Sequence, residues 1–198
     1  MAEGKQPEGM VIGVTGTPAA GKSSFAKKLG EALPSSMVIE LNDIVEKQGL
    51  YSSVDDDGSK VVVLEALGKA AEKVISDSDG KNMIMTGHLV QEIGIKYDMI
   101  VVIRAHLKDL IERMEARGYQ EGKIRENLVS ESVDYCGVKS MEMCEETYEI
   151  CTDAEKAGMI SYIISVASGK KAPKPDKKEI SRLDELLELA TGENKYGL

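Results

Sequence analysis

An apolar strand that runs into Gly-x-x-x-x-Gly-Lys-Ser and leaves through an amphipathic helix leaves a chain few folds to adopt. Residues 12–23 read I-G-V-T-G-T-P-A-A-G-K-S, and Gly16, Gly21, Lys22 and Ser23 fill the pattern of a phosphate-binding loop. In such a loop successive backbone N–H groups turn inward around a phosphate. The lysine reaches the outer phosphate oxygens, and the final hydroxyl takes a place on Mg²⁺. The context agrees. Val11, Ile12 and Val14 form a short apolar strand before the loop, and Phe25, Leu29 and Leu33 recur at helical spacing after it. The N-terminus of that helix adds its partial positive charge to the anion site.

The rest of the chain alternates strand and helix, which predicts a doubly wound α/β fold around a five-stranded parallel sheet with helices on both faces. The expected strands are Met10–Thr15, Met37–Leu41, Asn82–Thr86, Ile100–Arg104 and Ser161–Val166. The expected helices run from about Lys22 to Ala32, to about Gln48, from Val62 to Ser76, from Leu107 to Gly118, and from Glu121 to Lys156 with a break at Gly137. Tyr51–Gly58 reads as a polar loop, residues 169–175 as a breaker-rich linker, and Ile180–Ala190 as a last helix. In such sheets ligands bind beyond the carboxyl ends of the strands. That places Asn42-Asp43, Thr86-Gly87-His88, Arg104 and Ala167-Ser168-Gly169 around one crevice.

Composition narrows the classes. A formal net charge of −9 excludes strong non-specific nucleic-acid binding, which needs a basic surface, so any anion site must be a local basic patch. No apolar run approaches the roughly 20 residues of a membrane helix, and Met1–Gly9 lacks the apolar core of a secretory signal. The expectation is a cytoplasmic protein, or a nuclear one in a host with a nucleus, with no membrane partner. Cys136, Cys144 and Cys151 fit neither a disulfide framework nor a zinc site and read as core residues, Cys144 and Cys151 on a shared helix face. His88 and His106 lack metal-ligand spacing.

Four segments together, Thr15–Ser23, Leu41-Asn42-Asp43, Gly87-His88 and Arg117-Gly118-Tyr119, resemble the phosphate-loop nucleoside-monophosphate kinases. Within that group the chain resembles the adenylate kinase 6 (coilin-interacting nuclear ATPase) type, as an archaeal relative. The resemblance spans about residues 10–190 and implies one kinase domain with a short lid. A nucleoside-monophosphate region would lie at about 42–62 and the lid at about 117–127, between a flexible N-terminus (1–9) and a C-terminal tail (191–198). It implies an ATP:AMP phosphotransferase with some ATPase activity, using Mg²⁺.

Residue by residue, the resemblance puts the ATP phosphates on Gly16, Thr17, Pro18, Ala19, Ala20, Gly21, Lys22, Ser23 and Ser24, with Lys22 following the migrating phosphate and Ser23 on the metal. Arg113 and Arg117, four apart on one helix, would both lean over the phosphates, where charge neutralisation carries the chemistry. The plainer reading pairs them with Glu112, Glu115 or Glu121. Gly169, after the expected last strand, would lie by the adenine. Asp43, Tyr51 and His88 would face the AMP, although Asp43 also fits a capping box with Glu46 and Tyr51 fits a plain loop residue.

One position departs from the pattern. Relatives carry an aspartate at the end of the third strand, two residues before the histidine, where this chain has Thr86. A neutral hydroxyl cannot supply the charge that holds Mg²⁺ through its waters. Three explanations stand open: the metal relies on Ser23 and ATP oxygens, Asp43 compensates through water, or turnover is slow. The loop also carries Ala19 and Ala20 where a further glycine is common. The alternatives to an adenylate kinase are a nucleotide-switched assembly factor for the small ribosomal subunit and a kinase for another nucleoside monophosphate. The assembly factor would dock on a ribosomal small-subunit protein through the basic linker Lys170–Lys178 or the acidic stretch Glu142–Glu155.

Overall fold

The structure, a computed structural model, describes residues 9–55, 58–192 and 196. The expected flexible N-terminus lies outside them except for Gly9, as does most of the tail beyond Gly192. A five-stranded parallel sheet holds β1 (Val11–Thr15), β2 (Ser36–Glu40), β5 (Asn82–Thr86), β6 (Met99–Ile103) and β7 (Thr147–Ile150) in the order β2-β5-β1-β6-β7. Helices α1 (Lys22–Ala32), α4 (Leu107–Ala116), α5 (Glu121–Ser132) and α7 (Asp153–Ala167) cover one face. Helices α2 (Leu41–Gln48), α3 (Leu64–Ser76) and α6 (Tyr135–Met143) cover the other.

Strand alternation builds the two cores. Ile12, Val14, Ile84, Val101 and Ile103 pack toward Phe25, Leu29, Leu110 and Ile163, while Met83, Met85, Ile100 and Val102 pack toward Leu41, Val45 and Leu67. Near-continuous apolar strands such as Met-Ile-Val-Val-Ile are what burial on both faces requires. Each fully buried aliphatic side chain contributes about 1.5–3 kcal/mol.

Four expectations are corrected. The segment expected as a polar loop from Tyr51 to Gly58 holds a strand, β3 (Tyr51–Val54), which pairs antiparallel with β4 (Lys60–Val62). The fifth sheet strand is Thr147–Ile150, inside the region expected to be helical, and Ser161–Val166 belongs to α7. The capping box decides this. Thr152 Oγ1 accepts from Glu155 N at 3.2 Å and Glu155 Oε2 accepts from Thr152 N at 2.9 Å, starting a helix whose buried Met159, Tyr162 and Ile163 follow helical spacing. Gly169 therefore follows a helix that has run back from the sheet's carboxyl edge, and it lies away from the crevice. Cys144 and Cys151, expected on one helix face, are separated by β7.

From there the basic linker returns along edge strand β7. Lys174 Nζ meets Glu146 Oε1 at 2.6 Å, Ile180 N donates to Glu149 Oε2 at 3.0 Å and Arg182 Nη2 donates to Cys151 Sγ at 3.1 Å. The linker so covers an edge that would otherwise present unpaired strand groups. Helix α8 (Leu183–Thr191) then packs on α5, and Glu185 Oε2 accepts from Leu107 N at 2.8 Å at the start of α4. Among the described residues no helix is long and apolar enough to cross a membrane.

Candidate active site

At the carboxyl edge of the sheet a cleft of about 990 Å³ opens between the phosphate loop, α2, the β3–β4 hairpin and the start of α5. The loop's shape follows from its glycines. Gly16 has φ 136° and a Cβ there would lie 2.2 Å from Ile103 O, so only glycine lets the chain pass β6. Gly21, at φ 109°, turns the chain into α1. Among the described residues no side chain caps α1, and its first turn carries no acid, which leaves its first N–H groups for an anion. Ala19 also takes the left-handed region, at φ 69°, where a Cβ costs roughly 1–2 kcal/mol.

Thr17, Pro18, Ala19, Lys22 and Ser23 border the cleft, and Gly16, Ala20, Gly21 and Ser24 complete the loop behind them. Lys22 Nζ donates to Thr17 O at 3.0 Å, which folds the ammonium over the loop. Burial draws Lys22 down to about 8, partly offset by Glu40 and Glu131. Glu131 on α5 anchors the loop, because its Oε2 accepts from Thr17 Oγ1 at 2.5 Å. Beneath it, Thr15 Oγ1 donates to Gln91 Oε1 at 2.6 Å.

His88 presents its ring to the cleft. Desolvation at the cleft, together with the Lys22 and Lys123 charges, holds it down to about 4, so the imidazole is neutral near pH 7. Arg117 also borders the cleft, exposed, with no ion pair or side-chain hydrogen bond among the described residues. Arg113 does not border it. Its guanidinium donates to Ala19 O at 3.3 Å and pairs with Asp109 at 3.3 Å, bracing the loop from outside.

Asp43 is exposed and pairs with Lys47 at 3.8 Å; it neither caps α2 nor borders the cleft. Tyr51 stacks under Lys60, whose ammonium lies 4.5 Å from the ring centre, and Lys60 rather than Tyr51 borders the cleft. Arg104, expected in the crevice, is sealed instead. Its Nε meets Glu131 Oε1 at 2.8 Å, its Nη1 meets Glu149 Oε2 at 2.6 Å and also Asp134, and its side chain is 1% exposed.

Sequence reasoning passed over Glu40, Lys60, Gln91 and Glu131. Two signals were present: Glu131 continues the buried stripe Ile124-Leu128 on α5, and Glu40 is an acid at the carboxyl end of a strand. The donor set suits Mg²⁺, a hard ion that takes few protein ligands beside phosphate oxygens. Ser23 offers its hydroxyl and Glu40 a carboxylate at the cleft, and Thr86 Oγ1, buried behind its lining, has no hydrogen-bond partner among the described residues.

The family profile described as "AAA domain" matches residues 12–134. A protein of Methanosarcina barkeri named "Putative adenylate kinase" is 34% identical over 175 residues, covering 85% of this chain and 94% of its own length. Proteins of the same name from Pyrococcus furiosus and Methanococcus maripaludis are 36% and 31% identical, over 72% and 91% of this chain and 75% and 99% of theirs. The chain belongs to this family of archaeal phosphate-loop nucleoside-monophosphate kinases. Among solved structures, shikimate kinase from Bacteroides thetaiotaomicron shares the fold at TM-score 0.52, with 14% identity, 80% of this chain and 98% of that one. The Deinococcus radiodurans tunicamycin resistance protein does so at 0.56, with 17% identity, 84% and 99%.

Proposed function

We propose that the protein transfers the terminal phosphate of ATP to AMP, with slower hydrolysis of ATP when the acceptor is absent. The observation that carries this reading is the shape of one cleft: a phosphate loop with its lysine on one side, and an apolar wall with polar groups on the other. Val45, Val62, Leu64 and Leu89 supply the wall, and Asn42, Glu46 and Lys60 the polar groups. Gly16–Ser24 wrap the triphosphate, Lys22 neutralises the migrating phosphate, and Arg117, without a charged partner among the described residues, closes over it. Bound with the nucleotide, Mg²⁺ would neutralise phosphate charge, held at Ser23. Neutral His88 hydrogen-bonds substrate or water without adding charge. Lys60 leaves Glu46 to meet the acceptor's phosphate.

Arg113 acts through the loop: by holding Ala19 O it keeps the strained turn in place. Asp43 and Tyr51 act only indirectly, as members of the elements that carry the acceptor wall. Gly169 has no part in this reading. The assembly-factor reading gains no support from charge, because basic and acidic stretches engage one another at Lys174–Glu146 and Lys178–Glu155.

The test is product formation from Mg·ATP with AMP, CMP, UMP or GMP as acceptor. ADP accumulating at twofold stoichiometry with AMP, and slowly with the others, is expected. Nucleotide binding without transfer to any acceptor would overturn the reading.

A further inference from the structure

The cleft has an unsolved charge problem. Phosphoryl transfer with Mg²⁺ needs a carboxylate to orient the metal's waters, and the sheet position beside β1 that would supply one holds Thr86. Three carboxylates border the cleft among the described residues: Glu40, Glu46 and Glu92. Glu46 is engaged by Lys60, and Glu92 accepts from Tyr135 Oη at 2.8 Å. Glu40 has neither an ion pair nor a side-chain hydrogen bond among the described residues.

Its position is specific. Glu40 ends β2 and is the register partner of Thr86 on β5. Adjacent strands lie about 4.8 Å apart, and register partners project to the same face. The unpartnered, fully buried Thr86 hydroxyl therefore sits one strand from the free carboxylate. Glu40 also lies near enough to Lys22 to act on its charge, so its negative field reaches the phosphate loop.

We propose that Glu40 is the carboxylate that orients the waters of the nucleotide-bound Mg²⁺, doing from β2 what Thr86 cannot do from β5. The reach of a glutamate, one methylene longer than an aspartate, suits a group placed one strand farther from β1. Asp43 does not fill the role, since it pairs with Lys47 outside the cleft. The inference rests on the kinase reading but concerns metal coupling rather than transfer.

The test is ADP binding by calorimetry, with Mg²⁺ and with EDTA, for the wild type, Glu40→Gln and Glu40→Gln/Thr86→Asp, with circular dichroism as the folding control. In the wild type Mg²⁺ should tighten ADP binding. Glu40→Gln should weaken metal-dependent binding roughly ten- to a hundredfold, the usual cost of losing an outer-sphere partner, and leave metal-free binding equal or tighter. Adding Thr86→Asp should restore the Mg²⁺ effect. Should Glu40→Gln fail to fold, Glu40→Asp retains the charge on a shorter arm and should lose part of the effect. Undiminished Mg²⁺ coupling in the folded variant would overturn the assignment of Glu40 alone. Failure of the wild type to bind ADP under either condition would instead overturn the kinase reading beneath it.

Discussion

Arg104 and Arg117 stand near the same rim of the sheet and meet opposite fates. Arg104 follows β6 directly and is enclosed by Glu131, Asp134 and Glu149, with its side chain 1% exposed. Arg117 ends α4, borders the cleft and has no charged partner among the described residues. The cage fixes β6, β7, α5 and α6 relative to one another, and through Glu131 it holds Thr17 of the phosphate loop. Arg104 has its partners already in place and is structural; Arg117, without a charged partner among the described residues, is free to meet the phosphates of the proposed reaction. Adjacent parts of one fold thus divide rigidity from chemistry.

Removing each arginine in turn separates the two roles. Arg104→Met should destabilise the protein by about 3–5 kcal/mol, because three acids are left around an uncharged side chain. Urea unfolding measures this, and a loss below ~1 kcal/mol would mean that the cage is not a keystone. Arg117→Met should do the reverse. Its unfolding free energy should stay within about 0.5 kcal/mol of the wild type. The rate of ADP formation should fall roughly a hundred- to a thousandfold, as when one preorganised donor to a transition state is lost. A stability loss in Arg117→Met matching that of Arg104→Met would erase the distinction.

The same contrast explains what could be read from sequence. The loop, α1 and β5 were legible because each is specified locally, by glycines at positive φ, by apolar spacing and by flanking turns. Strand β7 was not, since Thr-Tyr-Glu-Ile is short and its Glu149 is tolerated inside only because Arg104 lies across from it. Burial pushes that carboxyl's pKa up, against the pull of the guanidinium. Arg104 was misplaced for the same reason: its partners come from 27, 30 and 45 residues away. Ser161–Val166 looked like a strand through its isoleucines, and a capping box nine residues earlier, at Thr152, overrode that propensity. That Lys22, Ser23, His88 and Arg117 border the cleft was legible from motif and position. Arg113, Asp43 and Tyr51 depend on which way a helix or hairpin turns its side chains, which spacing alone leaves open.

If Lys22, with the amides before α1, holds the terminal phosphates of ATP, then ATP titration of the wild type and Lys22→Met between pH 7 and 9.5 will report its proton. Burial sets free Lys22 at about 8, so at pH 7 the ammonium is ready. Above that value binding must first restore the lost proton. Wild-type affinity should therefore weaken by up to about thirtyfold across the range. Lys22→Met should bind more weakly at pH 7 and change little with pH. A variant that binds ATP as tightly as the wild type, or that shows the same pH dependence, would contradict the account.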